Sequence, residues 1–398
     1  MRPALPRNVK ALAAVSFLTD LASEIIYPLL PLFLSRVLGV SVAALGVIEG
    51  VAESVSALLR APAGWWSDRV RRRKPLVVWG YSIAGLVRPL IGLATGTGQV
   101  LAIRVTDRFG KGIRTAPRDA LIADSVEPSQ RGYAYGLHRA SDNFGAVFGP
   151  LIAWVVLTMQ WADLRTLFLW TAVPGVLAIV LLVVFVREAP RLEMPVDAVA
   201  PPAPSDPPLG APFWRLLAVI FLFTLSLSTD AFLLLRASQL GVATALIPIL
   251  WAMLHVMKSG SSVIAGALSD RYGRRPLILG GWAVYALVYL GFGAATDAWH
   301  AWALFAVYGL YFGLSEGPEK ALVADLAPPT RRGAAFGWFN AAVGVAALPA
   351  SVLFGLVWER FGPTTAFTMG ATIAAVAALL FALVVPSAAT SPGPVVAR

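Results

Sequence analysis

Carboxylates occur inside stretches of the chain that are otherwise apolar. Asp20 and Glu24 are four residues apart, and so are Glu49 and Glu53, so each pair would share one face of a helix. A charge within hydrocarbon costs roughly 3 kcal/mol on insertion scales, and it persists only when it is paired or faces water. These residue types at these positions are suited to taking up and releasing protons. The candidate proton carriers are Asp20, Glu24, Glu49, Glu53, Asp107 and Asp142.

Arginines accompany these carboxylates at similar depth. At about 1.5 Å of rise per residue, Asp20, Glu53 and Arg108 would all lie near the middle of a membrane. Burial raises the pKa of a carboxyl group and a neighbouring guanidinium lowers it, so a movement that changes their separation would bind or release a proton. We therefore predict a proton switch; the alternative is a set of static ion pairs that fix helix packing. The arginines predicted to modulate the switch or to contact substrate are Arg88, Arg104, Arg108 and Arg139.

The second half of the chain has fewer charges in its apolar stretches, and several aromatic residues there carry polar tips. Tyrosine and tryptophan combine an apolar face with a hydrogen-bonding group, which suits them to lining a substrate cavity; helix packing is the alternative. Met253 and Met257 would share a helical face that His255 does not, so a metal site is not favoured. The candidate substrate or charge-pairing residues of this half are Asp230, Trp251, His255, Lys258, Tyr285, Tyr289, Tyr308, Tyr311, Glu316 and Asn340.

Membrane-spanning helices are the elements that must position these residues. The chain has 398 residues, of which 58% are hydrophobic and 14% are charged, whereas a soluble domain averages about 25% charged. Apolar runs of about 20 residues recur along its length, and in lipid each backbone amide needs an internal partner, which predicts an all-α membrane protein. We predict about twelve spans, near residues 11–35, 42–64, 75–95, 98–118, 133–158, 165–187, 213–236, 243–267, 276–296, 299–322, 333–357 and 363–386.

The net charge of +10 is distributed unevenly along the chain. Arginines and lysines follow the second, eighth and tenth predicted spans and flank the N-terminus, whereas the loops near 95–98, 159–164, 237–242 and 295–300 hold almost none. This alternation predicts that both termini lie in the cytoplasm, and it argues against nucleic acid as a partner. The chain contains no cysteine, which excludes disulfides and a thiolate metal site.

The second half repeats the first at an offset of about 201 residues. The segment from Ala120 to Gly136 returns as the segment from Ala321 to Gly337, with an aspartate, an arginine and two glycines in the same places. Such a repeat, with an even number of spans between equivalent points, predicts two related bundles around a shared interface. The predicted domains are an N-terminal six-helix bundle at 1–187, a cytoplasmic Pro/Ala-rich linker at 188–212, a C-terminal six-helix bundle at 213–386 and a disordered tail at 387–398.

The loop after the second span and its copy after the eighth resemble a motif of the major facilitator superfamily, Gly-x-x-Ser/Ala-Asp-Arg-x-Gly-Arg-Arg/Lys. The second copy matches throughout, whereas the first has Arg71 where a glycine belongs. The resemblance implies that family's fold, with two pseudo-symmetric six-helix bundles. It also implies a latch on the cytoplasmic side, in which Asp68 and Asp270 cap partner helices. The motif residues are Gly64, Asp68, Arg69, Arg72, Gly266, Asp270, Arg271, Gly273 and Arg274.

A further motif bears on the direction of transport. Gly145, Gly149 and Pro150 resemble the Gly-x-x-x-Gly-Pro motif associated with antiporters of this family, which favours export. Close helix packing through small residues is the alternative interpretation. The segment from Gly110 to Gly112 is not a phosphate loop, because it lacks the required earlier glycine and the following Ser or Thr. An ion gradient is therefore the expected energy source.

Together these features predict a transporter rather than an enzyme, without cofactor or metal, in a bacterial-type inner membrane. Its partners would be the lipid bilayer, a small-molecule substrate and protons, and the chain would act as a monomer. The leading prediction is proton-coupled antiport that exports a small organic or amphipathic compound by rocking of the two halves. The alternatives are uptake of an organic anion by symport, transition-metal efflux through Asp20, Glu24 and His255, and a non-transporting receptor or scaffold that kept the fold.

Overall fold

Twelve long helices and no strand make up the part of the chain that the computed structural model describes, residues 6–69, 73–126, 131–188, 208–328 and 331–385. The predicted all-α fold class is confirmed. The helices are α1 (Arg7–Val37), α2 (Val42–Arg69), α3 (Lys74–Leu93), α4 (Thr97–Asp124), α5 (Arg131–Thr158), α6 (Leu164–Phe185), α7 (Ala211–Gln239), α8 (Ile247–Tyr272), α9 (Arg274–Ala294), α10 (Ala298–Leu326), α11 (Arg332–Phe361) and α12 (Pro363–Val384).

Nine of these helices are long and apolar enough, within the described residues, to cross a membrane. The helix α4 is not among the nine, and it carries Arg104, Asp107, Arg108 and Lys111 within two turns. The helices that surround α4 supply the apolar surface, so a helix this rich in charge can be accommodated inside the bundle.

Helix ends differ from the predicted spans in a systematic way. We predicted that α4 ends near residue 118 and α2 near residue 64, but they continue to Asp124 and Arg69. The apolar run marks the stretch that meets hydrocarbon, while backbone hydrogen bonding continues the helix beyond it. The helix α7 begins at Ala211, inside the predicted linker, because proline is tolerated in the first turn of a helix. Most of the predicted linker (189–207) and the predicted tail lie outside the described residues.

Two helices lose regular α geometry at equivalent points of the repeat. In α1 a 3₁₀ turn at Tyr27–Leu29 follows Ile26, and Pro28 within it cannot donate a backbone hydrogen bond. In α7 the first segment ends at Ser226, and the helix resumes at Asp230. The two breaks lie about 201 residues apart and face each other, since the Tyr27 and Thr229 hydroxyls are 3.4 Å apart.

The two halves meet where α2 packs on α11 and where α5 packs on α8. Along the first contact, a Cβ at Gly46 would stand 2.4 Å from the Ser351 carbonyl oxygen, and one at Gly344 would stand 2.8 Å from Ala57 Cβ. Such close approach is available only to residues without a side chain. Glycine therefore sets the separation of the halves along this interface.

We call the end of the bundle where α3 and α9 begin the basic end, and the opposite end the loop end. Near the loop end, Arg36 of α1 donates hydrogen bonds to Ser238 and Thr244 of the second half, at 2.5 and 2.9 Å. At the same end the backbone N–H of Ala43 donates to Glu359, at 2.9 Å. These bonds join the halves at the loop end in this conformation.

Candidate functional site

A cavity of about 440 Å³ lies between the halves and reaches from mid-bundle toward the basic end. Most of its wall comes from α1, α4 and α5, and α8 contributes two residues from the second half. Its polar and charged lining residues are Asp20, Ser23, Glu24, Tyr27, Arg60, Arg88, Arg104, Asp107, Arg108, Lys111, Arg114, Thr115, Arg118, Asp119, Arg139, Asp142, Asn143, His255 and Lys258.

The helix α4 supplies the largest share of this wall. Its lining residues recur three or four positions apart from Arg104 through Lys111 to Arg118, so they follow one side of the helix. Beside this face, next to Arg114, glycines bring α3 close, because a Cβ at Gly110 would stand 2.7 Å from the Gly80 carbonyl oxygen. The sequence thus places charged side chains of α4 toward the cavity and a glycine of α4 against α3.

Two ion pairs at the inner end of the cavity are buried and well aligned. Arg88 Nη2 donates to Asp107 Oδ1 at 2.7 Å, and Arg88 Nε donates to the same oxygen at 3.1 Å. Arg104 donates from Nε and Nη2 to the two oxygens of Glu49, at 2.8 and 2.6 Å. The side chains of all four are at most 6% exposed. These four predicted residues fit static pairing in this conformation.

The carboxylate of Asp20 is placed differently. It lines the cavity, and among the described residues it makes no side-chain hydrogen bond or ion pair. Its electrostatic neighbours include Asp142, Lys111 and Glu24. This acid is therefore accessible from the cavity and is not held in a fixed pair.

Glu53 lies near Arg108 without a direct ion pair. Its side chain is half exposed, its Oε1 is 4.0 Å from Arg60 Nη2, and Arg108 is the strongest charge acting on it. Lys111 acts on both Glu53 and Asp20. Asp20, Arg108 and Lys111 line the same cavity, and Glu53 lies close enough for Lys111 to act on it. The role of the predicted grouping of Asp20, Glu53 and Arg108 in proton coupling stays a prediction.

Glu24 connects the two halves at mid-depth. Its Oε2 accepts a 2.7 Å hydrogen bond from Trp251 Nε1 and is 3.8 Å from His255 Nε2. The Tyr27 ring packs beside Trp251, with centroids 5.1 Å apart. Trp251, which we expected to contact substrate, is 4% exposed and binds Glu24 here.

A second polar cluster borders the cavity nearer the basic end. Asp142 accepts a hydrogen bond from the Ser16 hydroxyl, and its Oδ2 is 3.6 Å from His138 Nδ1. Arg139 is exposed and lines the cavity.

Several lining residues are not among the site residues predicted from the sequence. They are Arg60, Lys111, Arg114, Arg118 and Asp119. For the residues of α4 the three- and four-residue spacing from Arg104 was the available signal. Among them only Asp119 lies beyond the predicted span, which ended at residue 118.

The tyrosines of the second half form a buried cluster. The Tyr285 hydroxyl donates to the Ser226 carbonyl oxygen at 2.6 Å, and the Tyr308 hydroxyl donates to Asp230 at 2.8 Å. Tyr285, Tyr289, Tyr308 and Tyr311 are at most 6% exposed and are absent from the cavity wall. In this conformation they pack against one another, and their contact with substrate stays a prediction.

The remaining candidates of the second half make local contacts. Lys258 Nζ is 3.2 Å from Glu316 Oε1, which places an internal ion pair beside the cavity. Asn340, the counterpart of Arg139 in the repeat, donates to the Phe336 carbonyl oxygen one turn away at 2.8 Å.

The two motif loops differ in what the structure describes. Arg72 and the side chains of Asp68, Arg69 and Asp270 lie outside the described part, so the predicted latch stays a prediction. Gly64 and Gly266 lie within α2 and α8. Gly273 has a φ of +87°, which favours glycine and separates α8 from α9. Arg271 lies beside the Tyr272 ring at 5.3 Å.

An ion pair recurs in both halves next to these loops. Arg73 Nη1 is 2.6 Å from Asp124 Oδ2, and Arg274 Nε is 3.6 Å from Asp325 Oδ2. Both pairs join the start of one helix to the end of the next, at positions related by the repeat. The repeat therefore extends to individual contacts.

The glycines of the antiporter-like motif bring α5 against α1. A Cβ at Gly145 would stand 2.7 Å from the Phe17 carbonyl oxygen, and one at Gly149 would stand 2.8 Å from that of Leu21. Pro150 follows within α5. Close packing accounts for these residues as they stand.

The described residues contain no group of three or more His, Asp or Glu side chains placed to hold a metal ion. His255 and Glu24 approach each other to 3.8 Å without a third ligand of this kind.

This chain is similar to several known transporters. The family model described as Major Facilitator Superfamily matches residues 12–318 and 237–397. An uncharacterized MFS-type transporter of Methanocaldococcus jannaschii is 33% identical over 387 residues, which are 94% of each chain. A probable 4-methylmuconolactone transporter of Cupriavidus pinatubonensis is 27% identical over 61% of this chain and 58% of its own. Among solved structures, the nucleoside transporter NupG in a mutant form has a TM-score of 0.79 at 13% identity, over 95% of this chain and 100% of its own.

Proposed function

The chain belongs to the major facilitator superfamily, and we propose that it is a proton-coupled transporter of a small organic anion. It is a multi-pass membrane protein. The observation that carries the proposal is the lining of the cavity, which holds nine arginine or lysine side chains and five aspartate or glutamate side chains. A cavity with surplus positive charge attracts anions and raises their local concentration.

Carboxylates just outside the cavity wall also affect the charge balance of the cavity. Glu49, Glu53 and Glu316 pair with lining cations from beside the cavity, which reduces the surplus from four charges to one. Anion binding therefore depends on cations that lack a direct ion pair among the described residues. These are Arg108, Lys111, Arg114 and Arg139.

Proton coupling is assigned to Asp20. A carboxylate that lines the cavity without a fixed partner can change its protonation state without breaking a buried ion pair. Binding of an anion beside Lys111 would alter the field at Asp20, because Lys111 is among its electrostatic neighbours. Alternating access then follows from rocking of the two halves about their shared interface.

The experiment uses the purified protein in proteoliposomes that contain a pH-sensitive dye. We expect organic anions such as benzoate and succinate to cause proton movement, and Asp20→Asn to abolish that movement while anion exchange continues. The matched control is Asp163→Asn at the loop end, because asparagine preserves the N-cap that Asp163 forms with the Thr166 N–H. An Asp20→Asn variant that moves protons as the unmodified protein does would overturn the assignment.

Direction of transport is a separate part of the proposal. The antiporter-like glycines of α5 favour export, in which protons enter as the anion leaves. Uptake by symport is the second candidate, and it predicts that protons and anion cross in the same direction. The sign of the pH change on addition of external anion distinguishes the two.

We propose that the basic end, where Arg73 and Arg274 lie, faces the cytoplasm in an inner membrane, with both termini on that side. One chain holds a complete cavity, so a monomer suffices for transport.

A further inference from the structure

Three cations on α4 line the cavity without an ion-pair partner among the described residues. They are Arg108, Lys111 and Arg114, spaced three residues apart. Other arginines of the same helix are satisfied, since Arg104 pairs with Glu49 and Arg118 pairs with Asp119 at 2.8 Å. The three cations without a direct ion pair thus lie between two arginines that have one.

Arg114 is the most enclosed of the three. It is 4% exposed, and its Nε and Nη1 atoms are buried without a hydrogen-bond partner among the described residues. Buried polar atoms of folded proteins are nearly always hydrogen-bonded, so donors left open in this way point to a ligand. Arg108 Nε is buried and open in the same manner.

The packing around Arg114 covers one face of its guanidinium group and leaves Nε and Nη1 without a hydrogen-bond partner among the described residues. The guanidinium carbon lies 4.1 Å from the centroid of the Tyr81 ring, so the ring covers one face. The Tyr81 hydroxyl is itself buried without a hydrogen-bond partner. Gly80 makes room for this arrangement, because a Cβ there would stand 2.4 Å from Arg114 Cβ. The edge of the guanidinium is the part that binds carboxylates in a bidentate manner.

The spacing of the cations indicates the shape of the ligand. Arg108 and Arg114 are six positions apart, which is about 9 Å along a helix, and Lys111 lies midway between them. The two arginines therefore start from points well separated along the helix axis, which suits a ligand with two anionic groups. Two anionic groups on a short carbon chain could bind one at each end.

We infer that the cavity binds an organic dianion with two separated carboxylates, one held by Arg114 beside Tyr81 and the other by Arg108. Lys111 contributes positive charge between the two carboxylates. This inference rests on the proposed function and narrows the anion to a dicarboxylate. Arg114 becomes a substrate-binding residue and Tyr81 a residue that positions it. The last turns of α4, from Arg114 to Asp124, separate this site from the basic end.

The test measures the thermal unfolding of the purified full chain at constant ionic strength. The probes are succinate and glutarate as dicarboxylates, acetate as a monocarboxylate, glycerol 3-phosphate as a phosphate ester, and tetraethylammonium as a cation. A ligand that binds the folded state raises the melting temperature by mass action. We expect succinate and glutarate to raise it at concentrations where acetate does not.

Variants locate the binding site. Arg114→Gln should weaken succinate binding about tenfold or more, because a hydrogen bond to a charged group is lost. Arg114→Lys should restore part of the affinity, and Tyr81→Phe, which keeps the ring, should weaken binding by less. The matched control is Arg360→Gln, which removes an exposed arginine at the loop end and should leave the succinate shift unchanged. The lysine and phenylalanine variants keep the test valid if Arg114→Gln does not fold.

The outcomes separate this inference from the proposed function. Equal succinate shifts in the unmodified protein and in Arg114→Gln overturn the site, while anion transport stands. Acetate binding as tightly as succinate overturns the dianion, and a shift with glycerol 3-phosphate alone overturns the dicarboxylate. Stabilisation by tetraethylammonium and by none of the anions overturns both proposals.

Discussion

The indole Nε1 of Trp251 donates a 2.7 Å hydrogen bond to Oε2 of Glu24, across the interface between the two halves. Glu24 lies three residues before the 3₁₀ turn in α1, and Trp251 lies on α8. His255, one turn further along α8, is 3.8 Å from the same carboxylate oxygen. This hydrogen bond connects the halves next to the break in α1. Its loss should therefore change the equilibrium between this conformation and one in which the halves separate here.

Trp251→Phe tests this connection. The substitution keeps an aromatic ring beside Tyr27 and removes the donor to Glu24. A hydrogen bond to a charged group contributes about 1.5–3 kcal/mol, so the equilibrium ratio of the conformation described here to the other conformations should fall roughly tenfold or more. The measurement is the rate at which a maleimide labels Asn143→Cys, which lines the cavity in this conformation.

The control for this comparison is Trp299→Phe at the loop end, where Trp299 is 65% exposed. We expect slower labelling with Trp251→Phe and an unchanged rate with Trp299→Phe. An unchanged rate in both would mean that the Glu24 hydrogen bond does not hold the conformation.

The buried pair of Arg88 and Asp107 should be needed for stability. Asp107→Asn leaves Arg88 buried without its counter-charge, and removing one partner of such a pair costs about 3–5 kcal/mol. The double variant Arg88→Met with Asp107→Leu should lose less stability than Asp107→Asn, because no unpaired charge remains. Thermal unfolding of the three proteins measures this, and a double variant no more stable than Asp107→Asn would contradict static pairing.

The repeat shows how much the sequence could predict. The twelve helices and the break after Ile26 follow from apolar runs and prolines that any reader of the chain can locate. By the same offset, Arg88 and Asp107 correspond to Tyr289 and Tyr308. The first pair is an ion pair and the second is part of an aromatic cluster, so the two halves fill equivalent space with different chemistry.

Which of these side chains reaches the cavity could not be predicted from the sequence. Tyr289 and Tyr308 carry the polar tips typical of a binding site, yet they are buried. Arg114 lies near the end of the predicted apolar run, where an arginine is expected at the membrane surface, yet it lines the cavity. The orientation of each helix depends on its neighbours, and glycines such as Gly80 act through close contacts that only the assembled bundle defines.

The proposed orientation in the membrane can be tested with single cysteines, because the chain contains none. Gly98→Cys at the loop end occupies open space, since a Cβ there meets nothing within 4 Å. Tyr272→Cys lies at the basic end, where Tyr272 is 60% exposed. We expect an impermeant maleimide to label Gly98→Cys on intact cells, and Tyr272→Cys only after permeabilisation. The reverse pattern would place the basic end outside.

Two glycines of α5 allow a matched test of the close packing between α1 and α5. A Cβ at Gly145 would stand 2.7 Å from the Phe17 carbonyl oxygen, whereas one at Gly136 meets nothing within 4 Å. Alanine is favoured over glycine within a helix by about 1 kcal/mol. Gly136→Ala should therefore raise the free energy of unfolding slightly.

Gly145→Ala should instead lower it by about 1–3 kcal/mol, because the added methyl group must push α1 away from α5. The difference in melting temperature between the two variants measures the effect, since both make the same chemical change in the same helix. If Gly145→Ala were as stable as Gly136→Ala, α1 could move away from α5 without a loss of stability. The motif would then need an explanation other than packing. Transport by a stable Gly145→Ala variant would then show whether the glycine acts in the movement of α5 against α1.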